Sequence, residues 1–252
     1  MADFDRTLTY DIVDGRTRSS LIAILRQEKY LTPDYPEKAR ALKDKYLPIE
    51  YDFSIPLAER RKAMEEWWKK HFELLRESKL NKKDLESVVS SGIVQLRDGV
   101  SNFVNYLQKF RIPFVVMSAT GLGGETVEMF FKKEKIFLEN VFVVANSFDW
   151  DKEGYIIKVR KPIIHSLNKD ETAIQEFPVY EKIRERKNIL LLGDNPGDPG
   201  MSEGFDAENV IKIGFLNEKV EENLKHYEEV FDVVLLNDPP FDFVVELLKE
   251  IV

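Results

Sequence analysis

Cysteine is absent from the 252 residues of this chain, and histidine occurs only three times. The lack of cysteine excludes a disulfide framework, a thiolate zinc site and a cysteine nucleophile. No apolar run approaches the roughly 18 residues that a membrane-spanning helix needs. The N-terminus has neither the basic nor the apolar segment of a secretory signal. We therefore predict a cytoplasmic protein without membrane association.

An excess of basic residues is also missing, since 45 Asp and Glu outnumber 37 Lys and Arg and give a net charge of −8. This balance argues against non-specific nucleic-acid binding, which requires a basic surface. It leaves room for a small anionic ligand in a local site. The apolar share of 43% is ordinary for a globular protein, and the length permits a sizeable core.

Short apolar runs alternate with amphipathic stretches from about residue 97 onward. The runs predict strands buried on both faces of a parallel sheet, at 113–117, 141–144, 188–192, 210–213 and 232–236. The stretches between and after them predict helices at 124–135, 177–187, 217–230 and 241–251. Strands and helices in alternation indicate a doubly wound α/β core.

Residues 14–92 have a different sequence pattern, in which charged stretches at 34–47, 57–79 and 81–90 predict helices. Asn81, with Asp84 three residues later, predicts a helix N-cap, and Gly92 predicts the end of that helix. We therefore predict a helical cap at 14–92, inserted into a core formed by 1–13 and 93–252.

Two carboxylates near the N-terminus and a hydroxyl after a predicted strand are candidate catalytic and ligand-binding groups. In the DxDxT string of residues 3–7, Asp3 and Asp5 point to the same side if the segment is extended. One carboxylate can then attack while the other transfers a proton. Ser118 follows a predicted strand, at the edge where open α/β sheets bind ligands. The amide of Ala119 is available to a phosphate there.

Lys169 and the loop Gly193-Asp194-Asn-Pro-Gly-Asp198 complete the set of candidate residues. Two carboxylates in a loop after a strand suit Mg²⁺, which takes one or two protein carboxylates together with phosphate oxygens and water. Taken singly, these residues are as readily solvated loop acids and a surface lysine. Their order along the chain is what makes the combination specific.

That order of DxDxT, post-strand serine, lysine and GDxxGD resembles the haloacid dehalogenase superfamily of phosphohydrolases. Nearly the whole chain is similar to the cytosolic 5′-nucleotidase III family, also called pyrimidine 5′-nucleotidases, with further matches at 66–68, 164–165, 189–194 and 211–214. The resemblance implies a Rossmann-like core with an inserted helical cap. It also implies hydrolysis of nucleoside 5′-monophosphates through an aspartyl-phosphate intermediate.

The resemblance assigns a role to each candidate. Asp3 is the expected nucleophile and Asp5 the expected general acid and base. Mg²⁺ is the expected cofactor, bound by Asp3, the Asp5 carbonyl and Asp194, with Asp198 in support. The residues expected to bind the substrate phosphate are Ser118, Ala119 and Lys169.

The cap carries the expected base-recognition residues. Glu50 matches a family glutamate that accepts hydrogen bonds from the base, although an exposed cap acid is the alternative. Trp68 matches a position that carries Trp in the 7-methylguanosine-monophosphate branch and Tyr in pyrimidine-preferring members. An indole over a positively charged methylated purine is a cation–π arrangement, but packing of the cap is an equal alternative. The second stacking position falls near Ile22, which is not aromatic, so CMP and UMP remain open as substrates.

The start of the chain departs most from the family, since only two residues precede Asp3. Two residues cannot form a regular strand. We therefore expect the first core strand to be missing and Asp3 to be poorly anchored, and an error of about 1 Å can cost about 10²-fold in rate. A catalytically silent nucleotide-binding or interaction protein is the alternative function. In both cases we expect a monomer whose partner is a small nucleoside monophosphate.

Overall fold

The computed structural model describes residues 1–13, 16–17, 20–27, 30–52 and 54–252. Its strands are β1 (Ile12–Val13), β2 (Arg16–Thr17), β3 (Phe114–Ser118), β4 (Val141–Ala145), β5 (Phe148–Trp150), β6 (Ile156–Val159), β7 (Asn188–Gly193), β8 (Asn209–Leu216) and β9 (Val233–Leu236). Its α-helices are α1 (Leu21–Gln27), α2 (Tyr35–Tyr51), α3 (Leu57–Glu77), α4 (Lys82–Ser90), α5 (Val100–Lys109), α6 (Gly124–Lys133), α7 (Glu171–Ile174), α8 (Tyr180–Ile183), α9 (Val220–Glu228) and α10 (Asp242–Ile251). A 3₁₀ helix spans Asp198–Ser202.

The core is a parallel sheet, as the sequence predicted. β3 pairs with β4, and β7, β8 and β9 pair in that order, all in parallel. Ala2 bridges Val116 of β3 and Leu192 of β7, which joins the two groups into one sheet. All five predicted strands are confirmed. The helix predicted at 177–187 is shorter, since only Tyr180–Ile183 is helical there.

Residues 1–3 lie between β3 and β7. They are too few for a regular strand, yet their backbone is hydrogen-bonded on both sides. Ala2 N donates to Val115 O at 2.9 Å, and Met117 N donates to Ala2 O at 2.8 Å. On the other side, Asp3 N donates to Leu192 O at 3.0 Å. The expectation that Asp3 is poorly anchored is therefore wrong, because three residues with neighbours on both sides already fix its backbone.

Phe4 adds a second anchor to this segment. It is fully buried, and its ring lies edge-on to Phe130 at 5.4 Å and to Phe131 at 5.6 Å, both in α6. Burying an aromatic side chain contributes on the order of 2–3 kcal/mol, so Phe4 holds the backbone between the two candidate catalytic aspartates.

Four helices, α1–α4, lie between the first motif and residue 92, and α5 follows them before the first strand of the sheet, β3. α2 packs on α3, while α4 packs on α6 of the core. Both predicted helix signals are confirmed: Asn81 Oδ1 accepts from Lys83 N at 3.1 Å, and Gly92 has a φ of +70° just after α4. The domain limits themselves stay a prediction. Within the residues that the structure describes, every helix is too short or too polar to span a membrane.

Candidate active site

Three chain segments end at one edge of the parallel sheet. Asp3 is the last residue of the short segment between β3 and β7, Ser118 ends β3, and Asp194 directly follows β7. Because parallel strands present their carboxyl ends at the same edge, residues far apart in sequence meet there. Lys169, from the segment before α7, points into the same group.

Lys169 is the cation at the centre of this group. Its Nζ donates to Asp3 Oδ1 and, at 2.9 Å, to Asp198 Oδ1, and all three side chains are buried. Burial lowers the pKa of Lys169, but Asp198 and Asp3 outweigh it and the pKa stands above its ordinary value. Burial also raises the pKa of Asp3 well above its ordinary value, against the opposing charge of Lys169. Lys169 is therefore charged and aimed at the expected nucleophile.

Asp198 organises the loop that follows β7. Its Oδ2 accepts hydrogen bonds from Asp194 N at 3.1 Å and from Asn195 N at 3.0 Å, while its Oδ1 faces Lys169. A side chain at Gly193 would collide with it, because a Cβ there would lie 2.4 Å from Asp198 Cβ. With both oxygens engaged by the protein, Asp198 supports the site by holding the loop and Lys169 in place.

The acidic residues can also hold a metal ion. Carboxylate oxygens of Asp3, Asp194 and Asp198 lie within 4.8 Å of one another. Burial raises the pKa of Asp194 to about 7, with Arg6 opposing that shift. Carboxylates crowded this closely repel one another when ionised, and hard oxygen donors are the ligands that Mg²⁺ prefers. The donor set therefore fits a divalent cation.

Sequence reasoning missed three residues around Asp194. Thr7 Oγ1 donates to Asp194 Oδ1 at 3.2 Å, and Arg6 Nε lies 3.9 Å from Asp194 Oδ2. The Tyr227 hydroxyl donates to the Asp194 carbonyl. Thr7 belongs to the DxDxT string and could have been found from it. Tyr227 lies in α9, a stretch that the sequence predicted as a helix without giving it a role in the site.

Asp5, the other aspartate of the DxDxT string, is half-buried. Burial raises its pKa to about 6, although Lys169, Arg6 and a hydrogen bond from Leu21 N all lower it. Among the described residues, Asp5 Oδ1 is buried and has no hydrogen-bond partner. Asp5 is thus a carboxyl group with one free oxygen and a pKa near neutrality, which suits proton transfer.

Ser118 lies beside the acidic group, at the end of β3. It is buried, and its Oγ accepts a hydrogen bond from Thr120 N at 3.1 Å. This contact folds residues 118–120 into a tight turn after the strand. This contact does not use the hydroxyl proton of Ser118, and Ala119 lies half-buried within the turn.

On the cap side, Glu50 is buried rather than exposed, with 9% of its surface accessible. Burial raises the pKa of Glu50, while Ser166 and the charge of Lys169 lower it. Arg60 Nη1 donates to the Glu50 carbonyl at 3.0 Å and fixes the end of α2. The reading of Glu50 as an exposed cap acid is therefore wrong.

Trp68 is half-buried and lies next to His71, with ring centroids 6.3 Å apart. The neighbouring Trp67 is buried. His71, which sequence reasoning missed, connects the cap to the loop after Ser118, since its Nε2 lies 3.0 Å from Gly121 O. Burial lowers the pKa of His71 to about 4, so the neutral ring donates this hydrogen bond. A Cβ on Gly121 would also lie 3.2 Å from Ile22 Cγ1, which brings α1 to the same loop.

Comparison with known proteins identifies the family to which a chain with this site belongs. The profile of the pyrimidine 5′-nucleotidase (UMPH-1) family matches residues 6–252. The chain belongs to this family. It is a hydrolase of the 5′-nucleotidase class with a haloacid dehalogenase fold. The 7-methylguanosine phosphate-specific 5′-nucleotidase of Gallus gallus is 36% identical over 252 residues, covering 100% of this chain and 86% of that protein. Its Homo sapiens counterpart is 33% identical, with 83% of that protein covered.

Among solved structures, one agrees with this family assignment and another with the fold. The crystal structure of cytosolic 5′-nucleotidase IIIB (cN-IIIB) bound to cytidine matches with a TM-score of 0.88 and 32% identity, covering 99% of this chain and 85% of that one. A substrate-bound phosphoserine phosphatase matches with a TM-score of 0.57 at 16% identity, over 99% of this chain and 95% of that one. The second match supports the fold alone.

Proposed function

We propose that this 5′-nucleotidase hydrolyses nucleoside 5′-monophosphates with the help of Mg²⁺, and that 7-methylguanosine 5′-phosphate, CMP and UMP are its candidate substrates. The observation that carries the proposal is the convergence of Asp3, Lys169 and Asp194 at one sheet edge, supported by Asp198. A silent binding protein has no need for a buried lysine held between two buried carboxylates, because such groups are costly to desolvate.

In the proposed reaction, an Asp3 carboxylate oxygen attacks the phosphorus and the bond from phosphorus to the ester oxygen breaks. Asp5 gives its proton to that oxygen, and the nucleoside leaves. Asp5 then takes a proton from water, whose oxygen attacks the aspartyl-phosphate and releases inorganic phosphate. The pKa of Asp5, raised to about 6, suits a group that must act first as an acid and then as a base.

The remaining residues of the site bind and orient the phosphate. Lys169 and the Ser118 hydroxyl face the phosphoryl oxygens, with the Ala119 amide beside them, and phosphoryl transfer depends chiefly on such positioning. Mg²⁺ would be held by Asp3, Asp194 and the Asp5 carbonyl, where it would offset the repulsion between carboxylates and phosphate.

At the other end of the substrate, Glu50 and Trp68 are proposed to contact the base. Glu50 is a buried acceptor for base N–H groups. Among the described residues, the buried Nε1 of Trp68 has no hydrogen-bond partner, which leaves its N–H for a ligand. The names of the similar proteins include both 7-methylguanosine phosphate and cytidine, so both classes of substrate are proposed.

Phosphate release from the three nucleotides, measured with Mg²⁺ and with EDTA, tests the proposal. We expect Mg²⁺-dependent turnover that Asp3→Asn abolishes. Asp206→Asn is the matched control, since it makes the same change at an exposed aspartate whose ion-pair partner, within the part of the chain that the structure describes, is Lys187. Absence of turnover, with the nucleotides still binding, would instead establish the silent binding protein. The predicted monomeric state and cytoplasmic location stay predictions.

A further inference from the structure

We propose that Arg97 is a positioning residue that sets the conformation of the nucleophile loop, Phe4–Leu8, and thereby places the side chains that hold Asp194. The inference rests on the proposed function, because it concerns the same site. Arg97 lies in the segment between α4 and α5, and 1% of its surface is accessible. Arg97 makes no hydrogen bond or ion pair with Asp3 or Asp194 within the part of the chain that the structure describes, and beyond the through-space attraction between its charge and Asp194 its contacts reach the site by way of the loop.

The guanidinium of Arg97 binds the loop backbone directly. Its Nε donates to Thr7 O at 2.9 Å, and its Nη2 donates to Arg6 O at 2.6 Å. Its Nη1 donates to Pro239 O at 2.7 Å, in the segment after β9. One planar group therefore links two consecutive carbonyls of the nucleophile loop to the segment that follows β9.

The backbone that Arg97 holds is in an unfavourable conformation. Arg6 has a φ of +64°, in the left-handed region that a residue with a side chain seldom adopts. Asn217 supports the same peptide, since its Nδ2 donates to Arg6 O at 3.0 Å and its Oδ1 accepts from Arg97 Nη2 at 2.9 Å. A strained backbone persists when its surroundings over-determine it, and here two side chains bind one carbonyl.

This conformation decides where the next two side chains point. Arg6 Nε lies 3.9 Å from Asp194 Oδ2, and Thr7 Oγ1 lies 3.2 Å from Asp194 Oδ1. Their carbonyls face Arg97 on the other side of the same backbone. If Arg97 no longer binds these carbonyls, the peptide can rotate, and both contacts to Asp194 are lost together.

A buried carboxylate balances the charge of Arg97. Asp238 Oδ1 lies 2.7 Å from Arg97 Nη2. The same carboxylate accepts hydrogen bonds from Asp11 N at 3.1 Å and from Ile12 N at 2.7 Å, where the chain leaves the core for β1. The pair therefore fixes both ends of the segment that runs from the nucleophile loop to the cap.

Lysine cannot replace arginine in this arrangement. A guanidinium presents five donors in a rigid planar fork, whereas an ammonium is a compact charge on a flexible stem. Arg97→Lys keeps a positive charge beside Asp238 but cannot reach the carbonyls of Arg6 and Thr7 together with that of Pro239. This substitution therefore separates charge balance from positioning.

The experiment compares Arg97→Lys and Arg97→Ala with Asn140→Ala, and measures kcat, KM, Mg²⁺ binding by calorimetry and Tm. Asn140 is a buried polar residue far from the site, whose Nδ2 donates to Ile112 O. We expect both Arg97 variants to lose about 100-fold in kcat with little change in KM, the size of effect that a displacement of about 1 Å produces. We expect weaker Mg²⁺ binding in both, and partial recovery of Arg97→Ala by added guanidinium but not by methylammonium.

A merely structural role predicts something different. In that case kcat per folded molecule and Mg²⁺ affinity stay at the wild-type level, as we expect for Asn140→Ala, and only Tm falls. That result in Arg97→Lys would overturn the inference, and Arg97→Lys decides it if Arg97→Ala does not fold. If the unaltered chain turns over no nucleotide, the proposed function fails, and the Mg²⁺ affinities alone then decide whether Arg97 positions Asp194.

Discussion

Thr7 Oγ1 donates a hydrogen bond of 3.2 Å to Asp194 Oδ1, across 187 positions of sequence. The contact joins the DxDxT string to the loop that follows β7. Both residues sit at the same sheet edge because residues 1–3 lie directly beside β7. Thr7 is fully buried, so this hydrogen bond fixes one oxygen of a proposed metal ligand from the protein side.

Replacing Thr7 tests that role with a nearly isosteric pair of variants. Thr7→Val removes the donor and keeps the shape, so Asp194 Oδ1 loses its fixed direction. We expect kcat/KM to fall about 10-fold, which corresponds to the roughly 1–1.5 kcal/mol of one hydrogen bond. Thr7→Ser keeps the hydroxyl and should retain most of the activity. Equal losses in the two variants would show that packing of the methyl group matters, and not the hydrogen bond.

Gly193→Ala should disrupt the loop that Asp198 organises. The added Cβ would lie 2.6 Å from Asp198 Oδ2, the oxygen that accepts from Asp194 N and Asn195 N. We expect a loss of about 1–3 kcal/mol in the free energy of unfolding, typical of overpacking, and a steep fall in kcat. Urea unfolding and steady-state kinetics measure the two effects.

The matched control for Gly193→Ala is Gly200→Ala, in the 3₁₀ helix nearby. A Cβ at Gly200 meets only Lys169 O, at an ordinary distance of 3.4 Å. This variant should keep both stability and kcat close to the wild-type values. Comparable damage from the two substitutions would contradict the role given to Asp198.

The stability of the metal-free protein should fall as the pH rises from about 4 to about 7. Burial raises the pKa of Asp5 from an ordinary 3.8 to about 6, and that of Asp194 from 3.8 to about 7. The folded state therefore binds these protons more tightly than the unfolded state does. Their contribution to stability is complete below the unfolded pKa and is lost as the pH passes the folded pKa. For Asp5 alone this is at most about 3 kcal/mol.

Urea unfolding in EDTA at several pH values measures this slope. Asp5→Asn should make it shallower, because that variant removes one of the groups that titrate. Mg²⁺ should reduce the loss near pH 7, since a cation that binds only the folded state stabilises it there. A free energy of unfolding that rises over this pH range would show that other groups dominate the titration.

Substrate preference should respond to Trp68 and Glu50 in different ways. Glu50→Gln weakens an acceptor for base N–H groups, so we expect KM to rise several-fold for every nucleotide, with a small change in kcat. Trp68→Leu removes the aromatic face and should lower kcat/KM for 7-methylguanosine 5′-phosphate about 5–30-fold, equivalent to 1–2 kcal/mol of cation–π attraction. CMP, which carries no charged base, should lose less. Equal losses for both nucleotides would assign Trp68 to cap packing.

Much of the fold was predictable because it follows from local patterns. The five strands of the sheet are short apolar runs, and such runs suit strands buried on both faces. The Asn81 cap depends on residues within four positions of one another. The hairpin of β5 and β6 escaped prediction, since its strands are short and α3 packs against one of them.

The sequence by itself determined which residues are proposed to carry the chemistry. The order of the motifs along the chain is the basis for proposing Asp3, Asp5, Ser118, Lys169 and Asp194, because a family's motif order records which groups its reaction needs. The burial of Glu50 and the anchoring of residues 1–3 depended on neighbours that no local pattern reveals.

Only the tertiary structure decided how the site is supported. Arg97 binds the backbone carbonyls of Arg6 and Thr7, which lie about 90 positions away in sequence. Tyr227 and His71 each contact one backbone carbonyl, 33 and 50 positions away. Backbone carbonyls look alike at every position of a sequence, so nothing in the sequence says which of them a side chain will bind. That choice is made when the sheet forms and brings distant segments to the same edge.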